Sequence, residues 1–352
     1  MKGWAVSFRS LGIQLGAVAA GIGVSALILL TIGLSPGDSL TTLFQGAFGS
    51  HFALTQTTLK AVPLALCGLA VALPLRTRLW NIGAEGQFHL GAIAAAYVAL
   101  SLPDVPRPAL LPLTILAGMA GGAAWALLAA IPRAIWGVNE IITTLLLNYV
   151  ALQLLAYLLT GPLQGKQSLG FPISDVLPGA ATLPRLGSSL IHTGVFFPLA
   201  AAALLIAGLR FTKWGYEVRM IGASPEAARV SGMSATKSIL VTLGGGGALA
   251  GLAGTIEVTN TFGQLQQGIS PGYGYMAIAI AALAGTNLVA TIAVAFLFGG
   301  FVIGGLALQV LSVPQAFVLM LQGMILFCAV GGARLAAARW GRPRRKEAPS
   351  TP

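Results

Sequence analysis

Long apolar segments, separated by short polar ones, repeat along almost the whole chain. Most are close to the ~20 residues that an α-helix needs to cross the hydrocarbon core of a bilayer. The pattern predicts an all-α polytopic membrane protein with about ten transmembrane helices, of which one or two are short. The predicted spans are 11–33, 58–75, 79–100, 109–131, 138–160, 194–209, 238–256, 273–286, 288–311 and 313–332.

The first apolar segment follows a basic start, MKGWAVSFRS, as a secretory signal peptide would. A signal peptide has an apolar core of only about 7–15 residues and ends at a cleavage site of small residues. The run from Leu11 to Gly33 is longer, and no convincing small-x-small site ends it. We therefore interpret it as an uncleaved first span.

The composition supports a membrane protein. Hydrophobic residues make up 56% of the chain and charged residues only 8%, and the mean hydropathy is +0.85. A soluble domain carries about 25% charged residues. Both cysteines, Cys67 and Cys328, lie inside apolar runs, which favours buried thiols over a disulfide or a metal site.

Basic residues set the predicted orientation. With the N-terminus in the cytoplasm, 16 of the 20 Lys and Arg residues fall in cytoplasmic segments, and only Lys60, Arg107, Lys166 and Arg185 fall outside. The positive-inside rule then predicts an N-in/C-in topology. The net charge of +11 is explained in this way without a nucleic-acid partner.

These spans predict a single transmembrane domain over residues 1–340. A Gly-, Pro- and Ser-rich loop at 161–193 is expected on the extracytoplasmic surface, and the largest internal cytoplasmic loop covers 210–237. The tail at 341–352 is basic and contains proline, which predicts disorder.

No catalytic or metal-binding pattern occurs in the sequence. The three histidines, His51, His89 and His192, lack metal-ligand spacing. The stretch GPLQGKQ at 161–167 is one residue short of a phosphate-binding loop and has Gln167 where Ser or Thr would hold magnesium. We expect no enzyme activity and no cofactor in this chain.

Polar residues inside spans are costly and therefore candidates for function. Asn81, Glu85 and His89 recur every four residues, which would place them on one helix face. Gly83 and Gly86 equally allow a broken or re-entrant helix. The group is either a structural clamp or a direct contact for a transported solute.

Two further acids lie within spans or at their ends. Glu140, Thr144 and Asn148 also repeat every four residues, and Glu140 lies near the cytoplasmic end, where snorkelling or gating is expected. Glu257 ends a Gly-rich span and is interpreted as an interfacial carboxylate. Glycines inside the spans, such as 244–247, 251 and 254, indicate close helix packing and also permit rocking motions.

The cytoplasmic loop contains GASPEAARVSGM at 222–233, which has the signals of a short helix. Ser224 is placed as the N-cap, Pro225 at the first helical position and Glu226 in the first turn, and Gly232 follows the end. These signals predict an exposed, capped helix of a kind that a set of membrane spans does not itself need.

The pattern Glu226-Ala227-Ala228, followed after three intervening residues by Gly232, resembles the EAA loop of ABC-importer permeases. Other segments, LFQGAFGS at 43–50, NIGAEGQ at 81–87, VNEIITTLLLNYVA at 138–151 and GISPGYGYMAIAIAALAG at 268–285, are similar to the nucleoside branch of the ribose and branched-chain amino acid permease superfamily. The resemblance covers about residues 40–330 and is to the longer of the two permeases that such systems usually encode.

This resemblance implies a transmembrane permease subunit of an ATP-driven importer for nucleosides or related purines. The implied partners are a cytoplasmic ABC ATPase that holds ATP and Mg²⁺, a second permease in a heterodimer or homodimer, and an extracytoplasmic binding lipoprotein. The implied location is a bacterial inner membrane. Residues expected to couple to the ATPase are Ser224, Pro225, Glu226, Ala227, Ala228, Arg229 and Gly232.

Residues expected along the solute path are Asn81, Glu85, Gln87, Asn148 and Tyr273, because a nucleoside needs scattered hydrogen-bond groups and stacking surfaces. Other solutes fit the same fold, including a simple sugar or riboflavin. A proton-coupled secondary transporter using Glu85 is the alternative from another class, but the capped cytoplasmic helix does not suit it.

Overall fold

The computed structural model describes residues 35–166 and 168–310, together with positions 16, 20, 21, 23, 24, 26, 27, 30, 313, 320, 323, 324, 327, 328, 331 and 332. Three sequence-based predictions therefore lie wholly or largely outside the described residues. They concern the first span at 11–33, the last span at 313–332 and the tail at 341–352.

The described part of the chain is helical and contains no strand. Its helices are α1 (Pro36–Phe48), α2 (His51–Leu75), α3 (Ala84–Ser101), α4 (Arg107–Trp136), α5 (Glu140–Leu159), α6 (Phe196–Phe211), α7 (Lys213–Ala223), α8 (Pro225–Val230), α9 (Ala235–Ile256), α10 (Tyr273–Ala284) and α11 (Leu288–Val310). A π-helical turn, Glu257–Phe262, continues α9.

Six helical segments in the described residues are long and apolar enough to cross a membrane. They are His51–Leu75, Arg107–Trp136, Glu140–Leu159, Thr193–Phe211, Ala235–Phe262 and Leu288–Val310. Helix α10 is apolar but shorter, and α3 begins with the polar residues Glu85, Gln87 and His89. A multi-pass helical protein is confirmed, while the count of about ten spans and the N-in/C-in topology stay predictions.

Most helix ends carry the expected local signals. The Ser50 hydroxyl accepts from the Ala53 N–H at 3.0 Å to begin α2, and the Asn139 side chain accepts from the Ile141 N–H at 2.9 Å to begin α5. Gly137, at φ +69°, ends α4. Such caps satisfy N–H and C=O groups that have no partner within the helix.

Glycines bring α3, α4 and α9 into backbone contact. A methyl group added at Gly251 would overlap the Gly118 carbonyl oxygen, and one added at Gly91 would overlap Gly251. Gly247 lies in the same way against Gly122. Close packing is the source of helix association in lipid, where apolar burial gives little. The predicted packing role is confirmed for these glycines of α9.

The segment before α3 corrects one prediction. Helix α3 begins at Ala84, after two turns and an irregular stretch, so Asn81 precedes the helix and does not share a helical face with Glu85 and His89. Gly83 is the N-cap residue of the helix. Asn81 instead forms side-chain hydrogen bonds with Gln87 and with the Ala70 carbonyl.

Backbone contacts divide the chain into two units. One is Phe44–Gly304, and the other is formed by residues 1–43 and 305–352. In the second unit, the buried Leu308 and Val313 pack against Leu43. The larger unit contains all the residues predicted to couple to an ATPase or to line a solute path.

Candidate functional site

The short helix α8 has the caps that the sequence predicts. The Ser224 hydroxyl accepts from the Ala227 N–H at 3.3 Å, and Pro225 is the first helical residue. At the other end, the Met233 N–H donates to the Ala228 carbonyl at 3.0 Å, and Gly232 has φ +74°. This is the left-handed ending that favours glycine, so both ends of this six-residue helix are capped by residues beside them.

Helix α8 presents a mixed surface to solvent. Glu226, Ala227 and Arg229 are exposed, and Val230 is 86% exposed. Ala228 alone is buried, at 1% exposure, and anchors the helix to the chain. A small alanine and an apolar valine beside two opposite charges form a surface that can enter a groove of a partner and pair with charges at its rim.

The second set of predicted residues forms a buried network between α2, α3 and α5. Asn81 and Gln87 exchange two amide hydrogen bonds of 2.8 Å, and Asn81 also donates to the Ala70 carbonyl at 3.2 Å. Asn148 accepts from the Gly86 N–H at 2.8 Å and donates to the Ile82 carbonyl at 2.9 Å. The network thus satisfies backbone groups at the irregular start of α3.

Glu85 extends this network to α10. Its Oε2 accepts from the Gly274 N–H at 2.7 Å, one of the first N–H groups of α10, which have no partner within that helix. A carboxyl group is favoured at a helix N-terminus. The Glu85 carbonyl lies 2.8 Å from His89 Nδ1, so His89 donates within its own helix.

A third cluster surrounds Glu257 at the π-helical turn. Glu257 Oε1 lies 2.6 Å from Lys60 Nζ and accepts from the Tyr273 hydroxyl at 3.1 Å, while Oε2 accepts from Thr261 at 3.0 Å. Glu257 is 1% exposed and therefore does not face water as an interfacial carboxylate would. Lys60 was missed as a partner, although it is the only charged residue within α2.

Glu140 is held in a similar way near the other end of the network. Its Oε2 lies 3.2 Å from Arg133 Nε, and its Oε1 accepts from the Trp80 N–H at 3.4 Å. Glu140, Thr144 and Asn148 share the buried face of α5, as their spacing predicts. Glu140 therefore joins α4, α5 and the segment before α3, and it does not extend freely to a surface.

The five residues predicted along a solute path are thus brought close together but are buried. Their exposures are 0% for Asn81, 3% for Glu85, 1% for Gln87, and 0% for Asn148 and Tyr273. In this conformation they bond to protein groups, which is the clamp alternative. Their direct contact with a solute stays a prediction, and it requires that α3 and α10 separate.

A polar cavity of about 590 Å³ lies in the same unit, at the loop predicted to be extracytoplasmic. Sequence reasoning missed it because its walls come from four distant segments and include Lys60, Arg107, Arg185, His192 and Asn260. Burial lowers the pKa of His192 from 6.5 to about 4, and its neutral Nδ1 accepts from the Gly194 N–H at 3.1 Å.

Comparisons with known proteins identify the family. The family described as branched-chain amino acid transport system / permease component matches residues 53–330. A glucose ABC transporter permease protein of Haloferax volcanii is 40% identical over 321 residues, which are 88% of this chain and 84% of that protein.

Two further relatives have another transported solute in their names. A guanosine ABC transporter permease protein of Bacillus subtilis is 33% identical over 90% of this chain and 92% of its own length. A nucleoside ABC transporter permease protein of Lactococcus lactis subsp. cremoris is 31% identical over 91% of this chain and 90% of its own length. No solved structure matches the chain.

Proposed function

The chain belongs to the family of branched-chain amino acid transport system permease components, and we propose that it carries nucleosides or related purines across the membrane. It is a transmembrane permease subunit of an ABC transporter. It is not itself an enzyme, because ATP hydrolysis in this family belongs to a separate ATPase subunit. Its partners are that ATPase and a binding protein.

The observation that carries the nucleoside proposal is the near full-length similarity to two permeases named for guanosine and for nucleosides. A simple sugar is the second candidate, because the 40% identical relative is named for glucose. A nucleoside and a sugar share the hydroxyl groups of a furanose or pyranose ring, so similar polar groups serve both.

The solute is tested with the whole transporter in proteoliposomes, loaded with ATP inside and supplied with its binding protein outside. We expect uptake of labelled guanosine that excess unlabelled adenosine reduces and excess glucose does not. Uptake of labelled glucose that guanosine fails to reduce would replace the nucleoside proposal with the sugar.

The exposed helix α8 is proposed as the coupling helix that docks on the ATPase. Ser224, Pro225 and Gly232 shape its ends, Ala228 anchors it, and Glu226, Ala227 and Arg229 face the partner. ATP and Mg²⁺ are proposed to bind to the ATPase, with no cofactor on this chain.

Ala227→Trp tests this docking, because a bulky ring on the exposed face cannot enter a groove shaped for alanine. We expect the variant to remain in the membrane and to lose both co-purification with the ATPase and uptake. Val230→Ala removes apolar area without adding bulk and serves as the matched variant, with a smaller loss. Unchanged co-purification and uptake in Ala227→Trp would refute the coupling role.

The remaining features of the assembly are also proposals. The second permease subunit, a lipoprotein as the binding protein, a bacterial inner membrane and an N-in/C-in arrangement of about ten spans follow from the sequence pattern and the family. The buried network of Asn81, Glu85, Gln87 and Asn148, with Tyr273, is proposed to flank the solute path and to hold its walls.

A further inference from the structure

Residues 76–83, here called the connector, join α2 to α3. The connector begins as a compact turn in which the N–H groups of Thr77 and Arg78 donate to the carbonyls of Pro74 and Leu75 at 2.9 and 3.0 Å. Arg78 has φ +61°, in the left-handed region that a residue with a side chain seldom adopts. Such a position persists only where surrounding contacts hold it in place.

The turn of the connector lies against the base of helix α8. Gly222 packs on the Arg76 carbonyl oxygen so closely that any added side chain would overlap it. Arg78 Nη2 donates to the Ala223 carbonyl at 3.0 Å. Ala223 directly precedes Ser224, the N-cap of α8. The end of α7, which leads directly into the proposed coupling helix, is therefore joined to the connector by a close backbone contact at Gly222 and by a hydrogen bond from the Arg78 side chain.

The other end of the connector enters the buried network. Asn81 pairs with Gln87 on α3, the Ile82 carbonyl accepts from Asn148 on α5, and the Trp80 N–H donates to Glu140. A shift of the connector therefore changes the bonds that position α3 and α5. Close-packed contacts of this kind exchange between discrete arrangements and do not deform continuously.

The connector and Glu85, in the first turn of α3, also contact both ends of α10. Arg76 Nη2 donates to the Thr286 carbonyl, just after the last residue of that helix. Glu85 Oε2 accepts from the Gly274 N–H at its first turn, and Gly274 has no room for a side chain against the Glu85 backbone. Helix α10 has 12 residues, about 18 Å in length, and these two contacts lie near its opposite ends.

We propose that the connector transmits the displacement of α8 to α10 and moves that helix as a rigid unit, with Arg78 and Gly222 as positioning residues. This inference rests on the proposed coupling role of α8. On this proposal, the wall of the solute path opens or closes when α10 moves and the Glu85 contact at its first turn changes.

The test follows α10 in the complete transporter, with the ATPase bound. Tyr275 is 40% exposed on α10, so Tyr275→Cys in a Cys328→Ser background provides a site for a thiol reagent. Cys67 is 0% exposed and does not compete. We expect the labelling rate at position 275 to change when ATP and vanadate are added.

Arg78→Ala removes the contact with Ala223 and should abolish this nucleotide-dependent change. It should also lower uptake per ATP hydrolysed by about three- to tenfold, the factor associated with losing one typical intramolecular hydrogen bond. Co-purification with the ATPase and basal ATP hydrolysis should be unaffected. Arg78→Lys, which retains a donor, should restore part of both responses, which a purely structural defect would not.

Arg210→Ala is the matched control. Arg210 is also an exposed arginine of the segment predicted to be cytoplasmic. Its guanidinium carbon lies 5.5 Å from the ring centroid of its neighbour Phe211. This variant should retain the wild-type nucleotide response. An equal loss in Arg210→Ala would assign the effect to charge and would overturn the proposal.

Three other results would also overturn the proposal. They are a wild-type response in Arg78→Ala, a loss of ATPase co-purification in that variant, and a constant labelling rate at position 275 in a wild-type transporter that takes up solute. The last result leaves the coupling role of α8 intact. Conversely, absence of ATPase binding to the wild-type chain would refute the proposed function itself.

Discussion

Glu85 offers the most informative single substitution, because it separates an ATP-driven permease from a proton-coupled carrier. Its carboxylate is 3% exposed and accepts one hydrogen bond of 2.7 Å, from the Gly274 N–H. Glu85→Gln retains an oxygen acceptor at the same distance along the side chain. Glu85→Leu has nearly the same size and no acceptor.

The expected magnitudes follow from this one contact. In Glu85→Leu the Gly274 N–H stays buried without a partner, which costs about 1–3 kcal/mol. In Glu85→Gln the bond persists without the contribution of the carboxylate charge at the helix terminus, a loss of about 0.3–1 kcal/mol. We therefore expect Glu85→Leu to be clearly less stable, while Glu85→Gln keeps ATP-driven uptake within several-fold of wild type.

Two assays check these values. Thermal unfolding in detergent, followed with a thiol-reactive dye that reports exposure of the buried Cys67, should give a lower midpoint for Glu85→Leu than for Glu85→Gln. Uptake is then measured in proteoliposomes of the whole complex, with and without a proton gradient. Uptake that needs the gradient, does not depend on ATP and disappears in Glu85→Gln would refute ATP as the energy source for transport.

Three further predictions use single positions. Gly251→Ala should weaken α4–α9 packing and lower the free energy of unfolding by about 1–3 kcal/mol, because the added methyl group overlaps a backbone oxygen. Gly245→Ala should be nearly neutral, because its methyl group meets only ordinary contacts. The thermal unfolding midpoints of the two variants are compared. Burial lowers the pKa of His192 from 6.5 to about 4, so between these pH values the opened loop binds more protons than the folded loop does. The protease resistance of the loop should therefore be full above pH 6.5 and fall towards pH 4. His192→Asn keeps a hydrogen-bond acceptor and should not show this fall. The other charged groups lining the His192 cavity are the cations Lys60, Arg107 and Arg185, which also oppose protonation. An impermeant thiol reagent should reach cysteines placed in 161–193 of intact cells and miss Ser231→Cys; labelling of the latter would reverse the proposed orientation.

The sequence by itself determined the helical class and most helix positions. Apolar runs locate helices in a membrane protein because every backbone group must be satisfied within the segment, and the predicted spans from 58 to 311 correspond closely to α2–α6 and α9–α11. Local signals also sufficed for α8, since Ser224, Pro225 and Gly232 act on the backbone beside them. Helix α7 was missed because it is short and mixes charged with apolar residues, so it does not stand out as an apolar run.

Only the tertiary structure decided which groups the buried polar residues bind. A four-residue spacing placed Asn81 on a helix with Glu85, but Asn81 pairs with Gln87 and the Ala70 carbonyl from an irregular segment before the helix. Spacing describes one helix, whereas buried bonds join residues far apart in sequence, by 189 positions in the Glu85–Gly274 contact and by 197 in the Lys60–Glu257 contact. The same limit concealed Lys60 as the partner of Glu257. A buried polar group takes whichever partner the packed helices bring near, and that is a property of the whole fold.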